Sequence, residues 1–115
     1  MNGHRGSATR HWRNQRMTSI ALLPLGLWFL FALLLQPALD HATVAAWLAK
    51  PLQALLAALF GGAMLWHSMQ GVEVVLEDYV RGRTLTLSIL LSRLAHTAAA
   101  VALSWAIFTI AAGGA

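Results

Sequence analysis

Residues 19–36 read SIALLPLGLWFLFALLLQ, eighteen positions without a charge. A bilayer's hydrocarbon layer is about 30 Å thick, and a helix rising about 1.5 Å per residue crosses it with roughly 20 apolar residues. The stretch therefore reads as a membrane span and not as one strand or helix of a soluble core. Pro24 and Gly26 lie inside it. Both would weaken an exposed helix in water, but lipid tolerates them where neighbouring helices satisfy the freed backbone groups.

Outward from this stretch the chain repeats the pattern twice. Residues 51–76 form a second apolar run that opens on Pro51, a residue suited to a helix's first turn, and holds one clear acid, Glu73, near its end. A third run, residues 84–110, carries Arg93 and His96 and finishes in small residues. It is long enough to tilt, or to let Arg93 snorkel to the interface. Apolar residues make up 58% of the 115, charged ones only 10%, and most charges fall before residue 17 or between 73 and 83. A soluble domain carries about a quarter charged residues. The predicted fold is an all-α integral membrane bundle of three transmembrane helices, with residues 1–18 as a basic arm and 19–115 as the anchor.

The basic arm and the apolar run together raise the possibility of a cleaved signal peptide. The run is longer than a signal core and no small-x-small site with a polar mature region follows, so the first span is expected in the mature protein. Arg5, Arg10, Arg13 and Arg16 precede the first span, and Arg81 and Arg83 separate the second from the third, against Lys50 and Asp40 in the first loop. Basic loops stay inside, which predicts a cytoplasmic N-terminus and second loop and a C-terminus on the opposite side. The net charge of +4 is mostly this topology signal. A nucleic-acid partner is not expected, because no reader domain accompanies the arginines. With no cysteine the chain has no disulfide, thiol chemistry or iron–sulfur ligation of its own. It shows no internal repeat, Gly-rich phosphate loop or serine–histidine–acid arrangement.

An ionisable side chain within a span is costly and marks the first place to seek function. His67 is such a residue. At 100° per residue, eleven positions return to within about 20°, so His67 and Asp78 share a helix face, with Phe60, Ala63, Met64, Gly71 and Val74 on or near it. Ala63 and Gly71, one turn either side of His67, leave room for a flat group such as a porphyrin edge, and imidazole is a common axial ligand of haem iron. The same residues also suit a small-residue packing seam across which His67 hydrogen-bonds. Tyr79 emerges beside Asp78 at the edge that also carries His11, Arg16, Thr18 and Ser19. A phenol, a guanidinium and hydroxyls there fit a carbonyl-bearing amphipathic ligand such as a quinone. Equally, aromatic residues and arginines anchor helices at membrane interfaces.

The segment HSMQGVEVVLEDYV, residues 67–80, resembles the second transmembrane helix of the succinate dehydrogenase hydrophobic membrane anchor family, the D subunit of respiratory complex II. That family's pattern is a histidine, a glycine four residues on, and an Asp-Tyr pair eleven and twelve residues on; His67, Gly71, Asp78 and Tyr79 match it. HWRNQRMTSI, residues 11–20, is similar to the family's entry into its first helix, with Arg16 in an R-x-T-x-I pattern. The resemblance covers most of the chain from His11 onward.

It implies a membrane anchor of succinate:ubiquinone oxidoreductase, itself without a succinate site, in a bacterial inner membrane. His67 would be one axial ligand of haem b, so that haem iron is its metal, and the second anchor (cytochrome b) subunit would supply the other. Tyr79 would hydrogen-bond a ubiquinone carbonyl, with Asp78 shaping the site; Arg16 would lie near the quinone pocket or the haem propionates, with His11 assisting. A flavoprotein subunit and an iron–sulfur subunit would complete the complex. His96 is read as a packing or hydrogen-bonding histidine. Other readings are an anchor of a quinone-linked fumarate reductase, a variant in which His67 and His96 ligate one haem within the chain, and a non-redox scaffold or assembly subunit.

Overall fold

The computed structural model describes residues 3–113; residues 1–2, at the start of the basic arm, and 114–115 lie outside them. Among the described residues all regular structure is helical: α1 (Gly3–Leu34), α2 (His41–Leu48), α3 (Pro51–Tyr79) and α4 (Gly82–Ala111). Three stretches are long and apolar enough to cross a membrane: Thr9–Leu34, Pro51–Tyr79 and Gly82–Ala111. Each expected span falls on one of these helices: 51–76 and 84–110 lie wholly within α3 and α4, whereas 19–36 overruns the end of α1 at Leu34 by two residues. Residues 3–18 of the basic arm continue α1 without a break.

The breaks between helices have local causes. Asp40 caps α2 by accepting the Thr43 amide at 2.9 Å and the Thr43 hydroxyl at 3.1 Å, which satisfies a donor that a helix start leaves unpaired. That amide bond, followed by the hydroxyl, holds the Asp40 carboxyl below its ordinary range. Pro51 takes the first turn of α3, where its missing N–H costs nothing. At the other end of α3 the backbone becomes extended at Val80 and Arg81, and Gly82 turns the chain with φ +65°. A side chain is disfavoured at that φ.

α3 is the central element, packed against α1 on one side and α4 on the other. Both neighbours run antiparallel to it, as successive contacts show. Along α1 and α3, Gly26 lies against Phe60, Thr18 against His67 and Gln15 against Gly71. Along α3 and α4, Gly61 lies under Leu103, Ser68 meets His96 and Glu73 meets Arg93. Seven residues advance a helix by almost two turns, so Phe60 and His67 lie on one stripe and Gly61 and Ser68 on another about 100° away. One stripe addresses α1 and the other α4.

The bundle has two ends of different chemistry. Near the α1–α2 connection, Trp28, Phe29, Trp47 and Phe60 form an aromatic cluster, with Trp47 stacked on Trp28 at 5.8 Å and Phe29 against Phe60 at 5.0 Å. Trp47 is buried. Polar side chains gather toward the other end, between the N-terminal half of α1, the C-terminal half of α3 and the N-terminal half of α4.

Candidate functional site

His67 is half-buried between α3 and α1. Its Nδ1 lies 3.0 Å from the Thr18 hydroxyl. That hydroxyl is also 3.0 Å from the carbonyl oxygens of Asn14 and Gln15, one turn back along α1. Among the described residues, Nε2 of His67 has no hydrogen-bond partner. A Cβ added at Gly71 would stand 3.9 Å from the Gln15 amide nitrogen, so this glycine faces α1 at ordinary contact distance. His67 thus hydrogen-bonds across a helix seam through Nδ1.

His96 is different. Its Nδ1 lies 2.8 Å from the Ser92 carbonyl, which can only accept, so Nδ1 carries the hydrogen. Nε2 then accepts from the Ser68 hydroxyl at 3.1 Å. Both nitrogens are occupied, and the ring faces α3 on the stripe next to that of His67. The hydrogen-bonding reading of His96 describes what is seen, and nothing in this arrangement brings it to a shared iron.

One turn beyond Ser68, Glu73 is buried at 5% exposure. Arg93 reaches it from α4, with Nε donating to Oε1 at 2.5 Å and Nη2 to Oε2 at 3.2 Å. The fork is bidentate, the strong geometry for a guanidinium and a carboxylate. A carboxylate withdrawn from water is tolerated with such a partner and costs several kcal/mol without one, on the order of 3–5. Arg93 therefore does more than snorkel. The pair forms part of the wall of a cavity of about 420 Å³ shared by all three long helices, with His11 and Asn14 on α1 and Gln70 on α3. Gln70 is buried, and its Oε1 has no partner among the described residues.

The remaining expected site residues lie toward the same end but do not converge within this chain. His11 faces the cavity; Arg16, Asp78 and Tyr79 do not line it. The Arg16 guanidinium lies over the Trp12 ring, 5.2 Å from its centroid, on the exposed side of α1. Asp78 is exposed on the last turn of α3, and Tyr79 beside it is 84% exposed. Among the described residues no three His, Asp or Glu side chains form a metal cage. What the three helices offer is one imidazole nitrogen on His67, a separate cavity walled by His11, Gln70 and the Glu73–Arg93 pair, and an exposed phenol and guanidinium on the outside.

Residues 2–112 match the family of succinate dehydrogenase/fumarate reductase transmembrane subunits. The chain is similar to the succinate dehydrogenase hydrophobic membrane anchor subunit of Rickettsia bellii, 32% identical over 78 residues that cover 68% of this chain and 62% of that protein. It is similar to those of Rickettsia felis, 32% over 76 residues (66% and 63%), and Rickettsia conorii, 32% over 79 residues (68% and 63%). The chain thus spans somewhat less than two thirds of the length of these relatives.

Proposed function

This chain belongs to the family of succinate dehydrogenase/fumarate reductase transmembrane subunits and is a multi-pass membrane protein, and from that premise we propose that it anchors a succinate:ubiquinone oxidoreductase. The observation that carries the reading is His67. It is a half-buried imidazole within a membrane span, engaged at Nδ1 by Thr18 and without a protein partner at Nε2 among the described residues. An axial ligand to haem iron needs that donor set: a neutral ring, one nitrogen bonded to an outer partner, the other with its lone pair free.

His67 would hold haem b from this chain, and a histidine of the second anchor subunit would hold it from the other. When bound, haem b supplies a one-electron centre beside the quinone site. The chain's own residues do the rest. Tyr79, at the end of α3, donates its phenolic hydrogen to a ubiquinone carbonyl oxygen, and Asp78 shapes the rim next to it. Arg16, on the α1 side of the same end, adds positive charge for the haem propionates, with His11 beside it as a hydrogen-bonding group; Arg16 also favours negative charge developing on quinone oxygen. Because these groups stand open on this chain alone, the pocket is completed by the iron–sulfur subunit and the second anchor, while a flavoprotein subunit carries succinate oxidation. The basic end faces the cytoplasm, across a bacterial inner membrane.

The test is to tag the chain at its C-terminus, solubilise membranes in mild detergent and isolate what it holds. The reading expects a flavoprotein, an iron–sulfur protein and a second anchor, together with succinate-dependent ubiquinone reduction. A chain recovered in stable form with none of these would refute it.

A further inference from the structure

Thr18 lies one helix away from His67 and 49 positions from it in sequence, yet the two side chains meet at 3.0 Å. We propose that Thr18 is a positioning residue for His67: its hydroxyl accepts a hydrogen bond from Nδ1–H and so holds the imidazole in the tautomer and rotation that present Nε2 to iron. The inference rests on His67 being the axial ligand.

A hydroxyl has one hydrogen to give and two lone pairs to receive with. The Asn14 and Gln15 carbonyls, both 3.0 Å from Oγ1, can only accept. With the Thr18 hydrogen directed at that carbonyl pair, its oxygen is left to accept from the ring. Nδ1 then carries the hydrogen, and Nε2, the nitrogen without a protein partner, keeps its lone pair. The opposite assignment would place the lone pair at Nδ1, where it is covered by α1, and a hydrogen on Nε2, where iron would bind.

Thr18 suits this task in two further ways. Its branched Cβ restricts χ1, and bonding back to the preceding turn pins the hydroxyl, so the acceptor is fixed before any ligand arrives. The contact is also half-buried in an apolar span, where competing water is scarce. A ligating imidazole that donates its other N–H to a fixed acceptor is a stronger base toward the metal, and loss of such an outer partner typically weakens metal binding by roughly 10- to 100-fold. Stronger donation also favours ferric over ferrous iron. Removing the acceptor should therefore raise the haem midpoint potential.

The experiment compares wild type, Thr18→Val, Thr18→Ala and Thr18→Ser in the intact detergent-solubilised complex, with His67→Ala as control. Haem is read by its midpoint potential in an optical redox titration and by its rate of loss to apomyoglobin, neither of which depends on turnover. Val keeps the shape and removes the acceptor; Ala serves if Val fails to assemble; Ser restores the hydroxyl. Expected are a positive shift in potential and haem loss roughly 10-fold faster or more in the Val or Ala variant, both reversed in Ser. A wild-type potential and loss rate in the variants lacking the hydroxyl would overturn the role of Thr18, as would a Ser variant that behaves like Val. A His67→Ala complex with an unchanged haem spectrum, or a wild-type complex without haem, would overturn the axial reading beneath it.

Discussion

At the scale of single residues, the four ionisable side chains within residues 51–76 and 84–110 each have a partner on another helix. His67 has Thr18, His96 has Ser68, and Glu73 has Arg93. The ion pair is asymmetric: the Glu73 side chain is 7% exposed and that of Arg93 59%. Arg93→Met strands a buried carboxylate and should cost about 3 kcal/mol, whereas Glu73→Gln leaves a guanidinium that can snorkel and should cost about 1 kcal/mol. Thermal inactivation of the purified complex would rank the two; equal losses would contradict the asymmetry. Tyr79→Phe should lower ubiquinone reduction on the order of 100-fold, the usual cost of a lost charge-stabilising donor, while succinate oxidation by an artificial acceptor is unchanged. An unaltered quinone rate would remove Tyr79 from the site. His67 and His96 were legible as candidate positions because a histidine in an apolar run stands out. The Glu73–Arg93 pair was not, since it depends on how α3 and α4 meet. A signal for it existed: Gly61 and Leu103 lie 21 residues either side of Gly82, Ser68 and His96 lie 14, and Glu73 and Arg93 lie nine and eleven, the register of an antiparallel helical hairpin about that glycine.

Among the elements, the glycines of this hairpin set its geometry. A Cβ at Gly61 would collide with Leu103 Cδ2, a flexible side-chain end that can rotate away. Gly61→Ala should therefore cost about 1 kcal/mol and Gly61→Leu, which forces the helices apart, about 3 kcal/mol. Gly82→Ala meets no neighbour but must adopt φ +65°, at about 1 kcal/mol. Assembly yield and melting of the complex read both. α2 escaped the sequence reading because eight residues between two spans carry too little periodicity to register, although Asp40 three residues before Thr43 is a helix-start signal. The Asp40 carboxyl is held below its ordinary value of 3.8 by the Thr43 amide. The cap is consequently intact above that value and is lost as pH falls through the lowered one. Amide exchange at Thr43, corrected for intrinsic rates, should show protection that disappears only on acidification below about pH 4; protection that fades near neutrality would contradict the cap. The expected first span began at Ser19, yet α1 begins at Gly3. Hydropathy marks where a helix meets lipid, not where its hydrogen bonds start.

The whole molecule measures 56 × 26 × 20 Å and contains no fully buried large side chain among its described residues. Apolar side chains instead cover its flanks, Leu23, Leu27 and Phe31 on α1, and Leu91, Leu94 and Val101 on α4. Such a surface suits lipid and partner helices, so order in this chain comes from its surroundings as much as from its own core. The three-span architecture was legible from composition and hydropathy, whereas the proposed quinone rim was read from residue chemistry and resemblance, and Arg16, Asp78 and Tyr79 do not converge on one pocket among the described residues. Topology can be tested directly, since the chain has no cysteine. In intact cells a membrane-impermeant maleimide should label Ala112→Cys and reach Arg83→Cys only after permeabilisation; the reverse pattern would invert the predicted orientation. The central claim is that His67 ligates haem within a quinone-linked complex. Its most direct test is the reduced-minus-oxidised optical spectrum of the affinity-purified complex, wild type against His67→Ala. A b-type haem signal is expected in the wild type and is lost or shifted in the variant. An identical haem spectrum in both would contradict it.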